Sequence, residues 1–541
     1  MFAKNLSILI FFFISFLILL NNNEFYKLIS KSHIDLEIIE EYYESKKKNK
    51  VKKCTINNCL SYNNTDKIVI STDVLRITFD TMGAQIIKSE ILKHLISEKN
   101  KNPFVIMDRS KDMIHIFQSG ILGSKKEDKF PNHHTIFKLT SSNFDNSLEK
   151  IDIVFEAKSG NLHLIKNFII NKRKYNIYVN HNIFNYSNNK IINPSLYLQI
   201  EKDNNKPVNS SKLYKIFYGV GLYDKKEKFQ KISFEDIKKG NIEHITKVDN
   251  GWISIVQHYF ATVLIPTQNK IRINELTQLS ENLYIIRSIE NIGIMYPKDK
   301  FSIKSVIWIG PKYHDIMFKI SDGLDLIIDY GFLSYPSKII FSFLKFFHFL
   351  FKNWGWSIIF LTLLIKFLFY PLNSYSYKSI ISMKKINSKL EILKSKFDNQ
   401  NKKKINNSII DLYRKENINP IKSFAPTIFQ IPVFVSLYWV LLSSVEIRGS
   451  NWLLWFYDLS ENDPLFILPS IMMITMFLQI RINKKQNNAL QKKFIIIMPM
   501  LFGIVMFFFP SSLLIYWCMN NIVSMIQQNF ILKKISKYNV K

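Results

Sequence analysis

A chain of 541 residues with a formal net charge of +30 and 47% hydrophobic residues gathers its apolar runs at the two ends, which argues for a membrane protein carrying a large water-soluble domain. The charge does not mark a nucleic-acid reader: eight of the 73 basic residues are arginines, and arginine is the side chain suited to bidentate phosphate and base recognition. No sequence-specific nucleic acid is therefore expected as a partner. The three cysteines show no zinc spacing, and Cys54 and Cys59 could pair only if their segment faces an oxidising compartment.

Residues 1–20, MFAKNLSILIFFFISFLILL, place Lys4 before an apolar run and end without small residues of the A-x-A type. This reads as an uncleaved signal-anchor helix with its N-terminus inside. Residues 21–65 are polar and Lys-rich, the composition of a disordered linker. From 66 to 330 the chain turns to short β-rich runs between turn signals: KIVIS, VLRITF, KIDIVFEA, LHLIKNFII and YNIYVNHNIF. Tyr175, Ile177 and Val179 alternate with polar neighbours, and the absence of long helical patterns predicts a large exported β-sandwich.

The C-terminal part, 352–541, changes period. Five apolar runs, 354–372, 424–445, 464–480, 494–509 and 511–530, make six transmembrane helices when counted with the anchor. Loop charge tests this independently. Segment 373–422 carries eleven lysines and Arg414, and the next inner loop carries Arg481, Lys484, Lys485, Lys492 and Lys493, whereas 446–464 has Arg448 as its one basic residue. An N-in, C-in polytopic α-helical membrane protein satisfies every loop. Residues 331–351 read as an amphipathic helix in the outer interface, and 373–422 as a basic cytoplasmic helical hairpin.

Motif spacings for nucleotide, zinc-protease and serine-hydrolase chemistry are missing, so neither an enzyme nor a cofactor nor a metal site is expected. Lys366 stands out, a lysine inside FLTLLIKFLFYPL. Snorkelling alone could account for it, since it sits roughly 9 Å from the inner end of its run. Thr362, Lys366, Tyr370 and Asn373, however, share one helical face. The last run repeats the pattern with Ser512, Tyr516, Asn520, Ser524 and Gln527, and Gln430 and Gln479 add amides to the third and fourth spans. Matching polar stripes predict a hydrophilic groove. A solute transporter or channel with an intramembrane lysine is the competing reading, and a sensor whose exported domain binds carbohydrate or peptide is a second.

Four segments, NWGWSIIFLTLLIKFLFYPL, APTIFQIPVFVSLYW, DLSENDPLFILP and FPSSLLIYWCMNNIVSMIQQ, resemble the membrane core of the YidC/Oxa/Alb insertase family. GWISIVQHYFATVLIP resembles the exported domain of its Gram-negative members. The resemblance implies a five-span core in the bacterial inner membrane, with a groove open to the cytoplasm and to lipid, closed outside, and a cation on its first span. Here that position is Lys366, where the family usually has arginine. It further implies nascent membrane proteins as substrates, and the Sec translocon, ribosome–nascent chain complexes and membrane lipid as partners.

Overall fold

The computed structural model describes residues 66–538 apart from 97–100, 126, 144–148, 206–215, 241–245, 386–409, 416–424 and 483–488. The expected anchor and linker, both N-terminal cysteines and most of the basic hairpin lie outside the described residues. The chain divides after Ile328 into two compact units.

The first unit is built on two nine-stranded antiparallel sheets. Strands Lys67–Ser71, Leu75–Asp80, Lys150–Ser159, Leu162–Asn171 and Asn176–Asn185 fall where the β-rich runs predict them. Leu162–Asn171 alternates buried and half-buried residues without a break, the period of 2 that a strand with one face in a core imposes. The sheets meet through aromatic side chains from opposite layers. Phe79 of one sheet lies 5.7 Å from Phe155 and 4.9 Å from Phe168 of the other, and Phe104 stacks on Phe260 at 4.2 Å. Each such ring removed from water contributes about 1.5–3 kcal/mol, so this layer is the core. Two short helices, Phe234–Lys239 (α1) and His314–Ile320 (α2), are the helical content of the unit apart from one 3-10 turn, among its described residues.

Gly251 opens the strand Trp252–Val256 at φ +92, and a Cβ there would meet the Tyr223 carbonyl oxygen at 1.8 Å. Only glycine fits. Its own carbonyl accepts from Arg272 Nη2 at 2.9 Å, which seats a buried guanidinium.

The second unit is a helical bundle: Ser334–Phe351 (α3), Trp354–Leu368 (α4), Tyr370–Lys385 (α5), Ala425–Ser443 (α6), Ile467–Ile482 (α7), Ala489–Met506 (α8) and Ser511–Tyr538 (α9). α3 buries Ser337, Ile340, Phe341 and Leu344 and leaves Tyr335, Ile339, Phe346 and Phe349 exposed, so its outer face is apolar. α9 is the hub, packing on α4, α5, α6 and α7.

Several boundaries differ from the sequence reading. The 354–372 run does not end as one helix, because the chain breaks at Phe369 and continues as α5, bent by 57°. Pro371 explains the break, since it has no N–H to give the preceding turn but fits the first turn of a new helix. The 494–509 run starts earlier, at Ala489, and its helix stops at Met506. Taken singly, no described helix is long and apolar enough to cross a membrane, whereas Trp354–Leu368 and Tyr370–Ser379 are when taken as a bent pair.

Candidate functional site: a polar seam in the helical unit

Asn353 starts α4 by accepting from the Trp356 backbone N–H at 3.2 Å. From this cap the buried positions include Trp354, Ile358, Thr362 and Lys366, each four apart, so Lys366 is carried inward on the packed face of its helix. Its residue is 4% exposed. Lys366 Nζ donates to Ser524 Oγ at 2.8 Å, and that hydroxyl in turn donates to the Asn520 carbonyl at 2.7 Å. Among the described residues no carboxylate comes within ion-pair distance of Lys366, so a buried ammonium with three donors is held by one hydroxyl.

The seam continues on both sides. Gln430 Nε2 on α6 donates to Asn520 Oδ1 at 2.8 Å. Gln527 Nε2 donates to the Lys366 carbonyl at 3.0 Å, and its Oε1 accepts from Asn373 Nδ2 at 3.2 Å. The stripes of α4 and α9 therefore face each other, with α6 joining from the side.

The remaining predicted positions are placed less centrally. Thr362 is buried but turns its hydroxyl onto the Ile358 carbonyl of its own helix at 2.7 Å. Tyr370 is half-buried beyond the bend. Tyr516, by contrast, is buried, stacks against Phe434 and shares a side-chain hydrogen bond with Gln430, so it adjoins the seam. Ser512 is buried at the opposite end of α9, where its backbone N–H meets the Leu459 carbonyl and its hydroxyl has no partner. It lies twelve residues, about 18 Å, from Ser524. Gln479 is half-buried and makes no side-chain bond to the seam. The α7–α9 polar pair is instead Thr475 with Asn521, whose Nδ2 donates to Thr475 Oγ1 at 3.3 Å. The available signal was that Thr475 sits one helical turn before Gln479 on the same face.

Sequence reading also passed over Asp463. Its carboxylate is buried and accepts from Trp455 Nε1 at 3.0 Å, Leu465 N at 3.1 Å and Leu468 N at 2.7 Å, organising the entry to α7. Next to it the Ser511 backbone N–H donates to the Glu461 carbonyl at 2.7 Å, and Asn462 pairs with Pro510, so this loop is fastened to the start of α9. The loop thus covers one end of the bundle while the seam lies toward the other. The arrangement offers hydrogen bonds and positive charge to a polar group.

Two family models divide the chain between them. Residues 67–343 match the YidC periplasmic domain family, and residues 346–538 match the family described as 60Kd inner membrane protein. The chain is 45% identical to the membrane protein insertase YidC of Bordetella petrii over 87% of its own length and 84% of that protein's. It is 36% identical to the membrane protein insertase YidC of Janthinobacterium sp., covering 87% and 85%. A crystal structure of an active YidC insertase with its first transmembrane domain resolved aligns over 86% of this chain and 92% of that one, at 17% identity and a TM-score of 0.38. On the family matches and the curated relatives, the chain belongs to the YidC family of membrane protein insertases.

Proposed function

We propose that the protein places nascent membrane proteins in the bacterial inner membrane by receiving their polar tails on the Lys366 seam, and that it does so without covalent chemistry. Family membership supports the insertase reading over a solute transporter, and the two matched families carry an inner-membrane and a periplasmic description. The observation that carries the site is the buried Lys366 ammonium, which among the described residues meets one hydroxyl and no carboxylate.

A charge inside a bilayer costs about 2.5–3.5 kcal/mol on insertion scales, so it is retained where it faces a cavity or a partner. An acidic tail approaching to 4 Å would gain about 4 kcal/mol at an effective dielectric of 20, enough to draw it in without trapping it. The Ser524, Gln430 and Asn520 groups replace part of the tail's hydration, and the apolar remainder leaves toward lipid between the third span (α6) and the fifth (α8). The apolar part of α8, from Phe494 to its end at Met506, is about 20 Å long against a hydrocarbon core of about 30 Å. Local thinning of the bilayer there lowers the barrier further.

The topology belongs to the same proposal: six spans, N-in and C-in, with α3 in the outer interface and the basic hairpin 373–422 inside as a landing site for ribosome–nascent chain complexes, the Sec translocon joining for some substrates. Loop charge supports it. Photocrosslinking of ribosome-bound nascent chains tests the whole reading. Contacts to α6 and α8 are expected, and saturable uptake of a small solute by the purified protein, with no crosslinks to those helices, would overturn it.

A further inference from the structure

One glutamine of the last helix holds the bent first core helix on both sides of its break. α4 and the start of α5 meet at 57°, and Gln527 bridges the junction, reaching the Lys366 carbonyl before it and the Asn373 amide after it. Ser524, one turn earlier on α9, accepts from the Lys366 ammonium. A single turn of α9 therefore grips Lys366 twice, by its backbone oxygen and by its side-chain nitrogen.

A lysine ammonium rides on four rotatable bonds and has no planar fork to fix its direction, so its position depends on where its Cα is held and which acceptor waits for it. Hydrogen bonds to a hydroxyl weaken steeply beyond about 3.2 Å, so a shift of even 1 Å of α4 against α9 separates Nζ from Ser524 Oγ. Opening or closing the bend moves α4 in that sense. We propose that Gln527 is a positioning residue: its clasp on the Lys366 carbonyl and Asn373 fixes the bend, sets where the Lys366 ammonium stands, and so sets the preference of the seam for acidic substrate tails. The inference rests on the role given to Lys366 above.

The test compares insertion of two substrates, alike except for an acidic or a neutral tail, by the full-length protein, Gln527→Leu, Asn373→Ala, Lys366→Ala and the Gln527→Leu/Lys366→Ala double variant, each normalised to its level in the membrane. Leucine keeps the volume of glutamine and removes both hydrogen bonds. Gln527→Leu should lower acidic-tail insertion by roughly three- to tenfold relative to neutral-tail insertion, the range one net hydrogen bond spans. Asn373→Ala, which cuts one arm, should give a smaller loss of the same kind and stands in if Gln527→Leu fails to accumulate. In the Lys366→Ala background Gln527→Leu should add nothing to the selectivity. Equal loss on both substrates, or a selectivity loss that adds to that of Lys366→Ala, would overturn the positioning role while leaving Lys366 in place. A Lys366→Ala variant with unchanged selectivity would overturn the reading of Lys366 and the inference with it.

Discussion

Trp455 donates its indole N–H to Oδ1 of Asp463 at 3.0 Å, tying the loop between α6 and α7 to a carboxylate that is itself buried. The same carboxylate takes the Leu465 and Leu468 backbone N–H groups. Asp463 thus does at once the work of a helix cap and of a loop anchor. Close by, Cys518 Sγ lies 3.5 Å from the Leu468 carbonyl, so a buried thiol on α9 sits against the residue that Asp463 holds.

Asp463→Ala should destabilise the helical unit by about 2–4 kcal/mol, combining a lost cap with buried donors left unsatisfied. Asp463→Asn keeps one acceptor and should cost less. Thermal unfolding in detergent measures the loss. Modification of Cys518 by a membrane-impermeant thiol reagent added from outside should rise in Asp463→Ala, and an unreactive Cys518 would show that the loop stays fastened without the carboxylate.

The exported sandwich should lose stability on acidification. His115 and His181 are fully buried, and burial chiefly holds both imidazoles down to about 3, with Lys202 and Lys166 nearby as secondary causes. An unfolded histidine takes its proton near 6.5, so between about pH 6.5 and 3 the unfolded state binds more protons than the native one. Stability therefore rises with pH across that window and falls as pH drops through it. At pH 5 each histidine should cost about 2 kcal/mol. The denaturation midpoint of the β-domain transition between pH 7 and pH 5 checks this; His133, which burial chiefly holds down to about 4, contributes in the same sense, so His181→Gln, which does not titrate, should remove roughly a third of the slope.

Much of the sandwich was legible in sequence because a strand with one buried face writes its period of 2 directly into residues such as Ile177 and Val179, both fully buried. The start of α9 at Ser511 was legible because Pro510 marks it. The bend at Phe369 was not, since hydropathy reports where apolar residues end and not where backbone hydrogen bonds do. Stripes fared in the same way. Periodicity puts Lys366 and Ser524 each on a polar face, but helix rotation decides that these two meet across 158 residues and that Asn521 finds Thr475 rather than Gln479. Asp463 stayed hidden because a lone aspartate before a proline reads as an ordinary turn residue.

Removal of most of the exported domain, 66–330, with α3 retained, should leave insertion largely intact, because every side chain of the seam belongs to the second unit. Insertion of a simple two-span substrate by the shortened chain, scaled to its membrane level, is the measurement. Complete loss in a stably expressed deletion would give the β-domain an essential part.

Lys366 carries the central claim, that a single buried positive charge lowers the cost of bringing polar and acidic tails part-way into the bilayer. Its bond to one hydroxyl uses no bidentate geometry, so Lys366→Arg should be tolerated. Lys366→Ala should reduce insertion of an acidic-tail substrate on the order of tenfold, about 1.4 kcal/mol of barrier, with a smaller effect on the matched neutral tail, water and the neighbouring hydroxyls covering part of the loss. The most direct measurement is insertion of that substrate pair by wild type, Lys366→Ala and Lys366→Arg at equal membrane levels. A selective defect in Lys366→Ala and none in Lys366→Arg is the predicted result, and equal insertion of both substrates by all three proteins would contradict it.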